Sequence, residues 1–177
     1  MPGQAWHQDE SFVPTRDRSL NAAWIALDDA TVENGCLWFM PNSHQSGIIY
    51  PNREQSDERF DCVEEAYGYP FTEKEAVPVE VEAGSIIFFN GYTLHRSLPN
   101  ANKKVYRRSL VNHYMSAESL LPWRRSENPI PVARYDHRDI VMIAGEDPYA
   151  YKGIEKISFS HIRPQRQGGC QWPSQTE

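Results

Sequence analysis

Apolar residues in this chain come in short blocks divided by turn-forming residues. Residues 20–27 (Leu-Asn-Ala-Ala-Trp-Ile-Ala-Leu) form one apolar run. It is followed by Asp28, Asp29 and a Glu33-Asn34-Gly35 turn. Residues 36–40 (Cys-Leu-Trp-Phe-Met) form a second, closed by Pro41-Asn42-Ser43-His44. Val77, Val79 and Val81 alternate with Glu80 and Glu82, the pattern of a half-buried strand. After Gly84-Ser85, residues 86–90 (Ile-Ile-Phe-Phe-Asn) predict another strand, with His95 just beyond it. Residues 107–115 predict the last, ending in Asn112-His113-Tyr114. Several short strands with turns between them read as an all-β sandwich or barrel. Trp38, Phe88 and Phe89 are expected in its packing.

Between these blocks, residues 45–76 are polar, acidic and turn-rich, and read as a long insertion of the lid or binding-loop kind. The pattern changes again after residue 116. Asp136 predicts the start of a short helix over about 137–144, with Gly145 as its stop. The expected organisation is a single domain over 1–177. Core strands lie at about 5–115 and a C-terminal extension at 116–177.

Composition narrows the function. Hydrophobic residues make up 40% and aromatics 12%, enough for a packed core. The net charge of -6 argues against a non-specific nucleic-acid or anionic-membrane binder. No apolar run approaches the ~20 residues of a membrane span. Cys36, Cys62 and Cys170 are odd in number and form no CxxC pair, so neither a disulfide framework nor a zinc site is expected. A cytoplasmic setting is the expectation.

Candidate chemistry begins at His7-Gln8-Asp9. A histidine and an aspartate two apart on a strand share a face. With His95, they could occupy one face of an iron octahedron and leave three positions open, as in non-haem Fe(II) oxygenases. The chain holds a second such pair, His137 and Asp139, at the predicted helix start; there Asp139 suits the helix N-terminus and His137 the surface. Arg107 follows His95 by twelve residues and, if buried, suits a dicarboxylate. Arg108 beside it would point the other way, and which of the two turns inward stays open. His113 shares the face of Arg107 and Ser109, so it could line the pocket, but a hydrogen-bonded core histidine is the preferred reading.

Several blocks together resemble the phytanoyl-CoA dioxygenase family. They are Gln4-Ala5-Trp6-His7-Gln8-Asp9, Ala23-Trp24-Ile25-Ala26-Leu27-Asp28, Glu33-Asn34-Gly35-Cys36-Leu37 and Pro41-Asn42-Ser43-His44. Gly84-Ser85-Ile86-Ile87-Phe88-Phe89, His95-Arg96-Ser97 and Arg107-Arg108-Ser109 continue the series, over about residues 3–115. The resemblance implies a mainly β, double-stranded β-helix (jelly-roll, cupin-like) fold with a few short helices. It also implies oxygenation dependent on Fe(II), 2-oxoglutarate and O2. The metal ligands would be His7, Asp9 and His95. Trp24, Ser97 and Arg107 would contact the co-substrate, with Gln8 nearby; separately, the Arg107-x-Ser109 spacing puts the Ser109 hydroxyl on the Arg107 face, where it could share the far carboxylate. The family pattern places the functional arginine at Arg107.

The implied reaction hydroxylates a C–H bond of a small organic substrate and releases succinate and CO2. A carboxylate at position 9 favours hydroxylation over halogenation. Members of the family carry a substantial segment before the first metal histidine, so this sequence is expected to be N-terminally truncated relative to them. A homo-oligomer covering the gap is an expected partner, alongside the small-molecule substrate, with neither nucleic acid nor membrane. The alternatives are a jelly-roll binding module without turnover and a cupin-like metalloenzyme that does not use 2-oxoglutarate.

Overall fold

A computed structural model describes residues 2–61, 64–102, 104–119 and 141–152. Within them the strands are β1 (Gln4–His7), β2 (Asn21–Ala26), β3 (Leu37–Phe39), β4 (Asn52–Arg53), β5 (Glu65–Ala66), β6 (Val77–Val79), β7 (Ile86–Asn90), β8 (His95–Ser97) and β9 (Ser109–Tyr114). They form a four-stranded sheet in the order β1-β8-β3-β6, a three-stranded sheet in the order β7-β2-β9, and the small pair β4-β5. All the strand pairings are antiparallel. This is the mainly β sandwich expected from the short apolar blocks, and it agrees with the cupin-like fold that the resemblance implies.

Alternation explains how the two larger sheets close on each other. On β2, Ala22, Trp24 and Ala26 point inward and are almost fully buried. Opposite them in register stand Phe89 and Ile87 of β7, and His113, Val111 and Ser109 of β9. Trp24, Ala26, Ala30, Cys36 and Leu37 form one core cluster, with Phe39, Ile87 and Phe89 packed against it. The Phe39 and Phe89 rings meet edge to face at 5.0 Å, which ties β3 to β7 across the sandwich. The other parity of β7 faces out, so Phe88 is 71% exposed. Its expected packing role is therefore corrected: it lies beside Ile86 and Leu110 on the outer face.

The insertion at 45–76 is not simply a lid. Tyr50 and Ala66 join Trp6, Met40 and Leu94 in a second core cluster, with Tyr69 and Phe71 packed against it. This cluster covers the face of β1 opposite to His7, because Trp6 points away from its neighbour. Trp6 also donates its indole N–H to Glu73, and Arg96 lies over the Trp6 ring while pairing with the same carboxylate. Thr72 and Glu75 form a capping box that shapes the 3-10 turn at Glu73–Glu75. A polar average hid the aromatics that anchor this segment.

Glu33-Asn34-Gly35 is the turn the sequence predicts. Asn34 Oδ1 accepts the Thr31 N–H, and Gly35 adopts a φ of 92°. A side chain there would collide with the Leu98 carbonyl oxygen. At the far end, residues 141–144 of the helix predicted over 137–144 are not helical. Val141 and Ile143 are 84% and 71% exposed, so no apolar face is buried to stabilise a helix. Cys62, Lys103, residues 137–140 (with His137 and Asp139) and Cys170 lie outside the described residues. No helix among the described residues is long and apolar enough to cross a membrane.

Candidate metal and co-substrate site

Three predicted ligands meet where β1 and β8 pair. His7 and His95 are direct register partners, and their ring centroids lie 4.1 Å apart. Asp9 is not on the strand, as the sequence pattern implied. It opens a 3-10 turn at Asp9–Ser11, and its carboxylate lies close to both rings. Asp9 Oδ1 is 3.7 Å from His7 Nε2 and 3.7 Å from His95 Nε2. Those gaps exceed a hydrogen bond, yet two bonds of about 2 Å to a divalent ion span them. Among the described residues, His7, Asp9 and His95 are the group able to hold a metal, their ligand atoms lying within 4.8 Å of one another.

The imidazoles are set for that task. His7 Nδ1 lies 2.8 Å from the Ala5 carbonyl, and His95 Nδ1 lies 2.8 Å from the Thr93 carbonyl. A carbonyl only accepts, so each Nδ1 carries the proton and each Nε2 offers its lone pair. Burial, helped by the neighbouring His7, pushes the His95 pKa down to about 4, so its ring is neutral at ordinary pH. Burial raises the pKa of Asp9, but His95, the hydrogen bond from His113 and His7 outweigh it. Its carboxyl is held well below the usual carboxylate range. Two imidazoles and one carboxylate form the donor set that Fe(II) oxygenases use.

A second group lies along the inner face of the three-stranded sheet. Arg107 comes just before β9 rather than on it, and its guanidinium stands 5.9 Å from the centre of the Trp24 ring. Nη1 reaches Ser109 Oγ at 3.5 Å, while Nε is buried with no hydrogen-bond partner. Burial lowers the pKa of this arginine. Among the described residues no carboxylate pairs with it. Arg108 faces the other way and grips Asp28 through its backbone N–H, Nε and Nη2. Arg107 is thus the inward arginine. A buried, unpaired guanidinium beside a hydroxyl and an indole suits a carboxylate ligand.

The remaining expectations divide. Ser97 is buried on the His95 face of β8, where its hydroxyl oxygen accepts the Gln4 N–H at 3.2 Å. Gln8 is corrected. Its amide donates to the Ile48 and Tyr92 carbonyls and accepts from the Tyr50 N–H, so it is fully occupied as a staple for the 48–50 segment. His113 is also corrected: it is not a core histidine but reaches Asp9 Oδ2 at 3.0 Å, with 34% of its side chain exposed. The signal available in sequence was its shared face with Ser109.

The fold and site define a class: a cupin-like β-sandwich with a two-histidine, one-carboxylate centre. The model of the phytanoyl-CoA dioxygenase (PhyH) family matches residues 1–109, and the chain belongs to that family. It is 37% identical over 113 residues to phytanoyl-CoA dioxygenase 1 of Oryza sativa subsp. japonica, covering 63% of this chain and 38% of that protein. It is 39% identical over 99 residues to the phytanoyl-CoA dioxygenase of Arabidopsis thaliana, covering 55% and 34%. The chain thus spans little more than a third of the length of these two relatives. Among solved structures, apo ThoJ, a non-heme monooxygenase, superposes with a TM-score of 0.56 at 26% identity, covering 67% of this chain and 42% of that one. EvdO2 from Micromonospora carbonacea var. aurantiaca, complexed with 2-oxoglutarate, superposes with a TM-score of 0.51 at 25% identity, covering 67% and 49%.

Proposed function

We propose that this chain is an Fe(II)- and 2-oxoglutarate-dependent oxygenase that hydroxylates a C–H bond of a small organic substrate. The observation that carries this reading is the placement of Asp9 Oδ1 at 3.7 Å from two imidazole nitrogens whose protons are held elsewhere. Family membership supports it, as does the likeness to a structure bound to 2-oxoglutarate.

His7, Asp9 and His95 would hold the iron. When bound, iron and 2-oxoglutarate supply the oxidising chemistry, with succinate and CO2 as co-products. The chain's own contribution is orientation and exclusion of water. Arg107 and Ser109 would anchor the far carboxylate of the co-substrate, with the Trp24 ring as a flat wall beside the guanidinium. Ser97 lies two residues along from His95, on its face of β8. Phe89, with its ring centroid 4.6 Å from that of His95, keeps one side of the ligand ring dry.

The test is anaerobic titration of metal-free protein with Fe(II) and then 2-oxoglutarate, following the visible charge-transfer band of the chelate. A band that is lost in His7→Ala and weakened in Arg107→Ala supports the reading. A folded wild-type chain that gives no band overturns it in favour of a binding module without turnover. A metal-loaded chain whose spectrum and activity ignore Arg107→Ala would instead be a cupin-like enzyme that does not use 2-oxoglutarate.

A further inference from the structure

We propose that His113 is a positioning residue for the metal centre: its Nε2–H donates to Asp9 Oδ2 and so leaves Oδ1 alone to meet the metal. This rests on the reading of His7, Asp9 and His95 as metal ligands. The two oxygens of Asp9 have different surroundings. Oδ1 faces the lone pairs of His7 and His95, each at 3.7 Å. Oδ2 lies 3.0 Å from His113 Nε2, at hydrogen-bond distance. A carboxylate at a metal centre is an acceptor only, so the nitrogen facing it must be the donor. The His7 and His95 nitrogens cannot serve, because their protons sit on Nδ1 against backbone carbonyls.

The position of His113 is built into the fold. It stands on the inner face of β9, directly opposite Ala22 in register. Ala22 is small and fully buried, so the adjacent strand sets no bulky side chain beside the imidazole. The bond joins the three-stranded sheet to the turn that follows β1, between residues 104 apart in sequence. His113 is not a fourth ligand on this geometry, since it lies against the oxygen turned away from the two imidazoles. A carboxylate free to rotate could clasp the metal with both oxygens and use up a position that oxygen or a co-substrate needs. With Oδ2 engaged, three protein atoms occupy one face and the opposite face stays open.

The test uses the metal alone. Metal-free wild type, His113→Leu and His113→Gln are titrated with Co(II), whose visible absorption reports coordination geometry, and the melting temperature of each metal-free protein is recorded. Gln places an N–H where the histidine Nε2 stood; Leu removes it. The expected result is a 10- to 100-fold weaker Co(II) affinity and an altered spectrum in His113→Leu. His113→Gln is expected within a few-fold of wild type, and the metal-free melting temperatures alike. Should His113→Leu not fold, His113→Asn replaces it, being polar but one methylene too short. Wild-type affinity and spectrum in His113→Leu overturn the inference while leaving the metal site standing. Equal losses in Leu and Gln also overturn it, since the donor would then not be what matters. If wild type binds no Co(II), the metal-site reading falls and the inference with it.

Discussion

The Arg107 guanidinium stands 5.9 Å from the centre of the Trp24 ring, on the inner side of the sheet, while the next residue, Arg108, is locked to Asp28 on the outside. The two adjacent arginines therefore predict opposite phenotypes. Arg107→Ala should weaken 2-oxoglutarate binding to the iron-loaded protein by about 10- to 100-fold, the worth of one charge-assisted contact. Arg107→Lys should restore only part of that, because an ammonium cannot form the two-pronged contact. Arg108→Ala should leave the affinity within two-fold. It should instead release Asp28, whose pKa is pulled down to about 2 by the Arg108 hydrogen bonds, towards 3.8. Calorimetry reads the first effect and a carboxylate NMR titration the second.

Gln8 predicts a loss of stability. Its buried amide serves three backbone groups, at Ile48, Tyr50 and Tyr92. Gln8→Ala leaves these without partners and should cost about 2–4 kcal/mol. Urea unfolding of the metal-free protein measures it. A cost below ~0.5 kcal/mol would show that water replaces the amide freely.

Cys36 gives a pH dependence. Burial, reinforced by the charge of Glu80, raises its thiol from 9.0 to about 11. The folded pKa lies above the unfolded one, so the stability this group contributes is intact below pH 9 and is lost as pH rises through about 11. Alkylation at Cys36, followed by peptide mapping, should be slow in native protein at pH 9 and fast once denatured. Rapid native labelling at that pH would contradict the burial.

Gly35 predicts a backbone effect. Its φ of 92° and the Leu98 carbonyl against it leave no room for a methyl group. Gly35→Ala should lower stability by about 1–3 kcal/mol, read from the denaturant midpoint at unchanged slope.

The sequence made the strands legible where a short apolar run was bounded by turn residues. Ile86–Asn90 falls where the pattern put it, and the run at 20–27 contains Asn21–Ala26. His7, Asp9 and His95 were singled out by residue type together with the family resemblance, since the same spacing recurs at His137 and Asp139; the structure brings the three within 4.8 Å of one another. Gln8 and His113 were misjudged for one reason. The partners of Gln8 lie 40, 42 and 84 residues away and that of His113 lies 104 away, and no local spacing encodes such contacts. The 45–76 segment was misjudged differently: its core-facing Tyr50, Tyr69 and Phe71 are scattered among polar residues, so no period appears. Strand geometry alone left Arg107 and Arg108 open; the family pattern pointed to Arg107, and the grip of Asp28 on Arg108 agrees with it.

His7 and His95 being register partners has a consequence for how the chain reaches its folded state. Side chains on a strand change face with every residue, so a one-residue slip between β1 and β8 would send one imidazole to the far side of the sheet. Only the native alignment can present both nitrogens together. A metal ion arriving during folding would therefore act as a proofreader, rewarding the correct alignment of two segments that begin far apart in the chain and leaving misaligned ones unliganded.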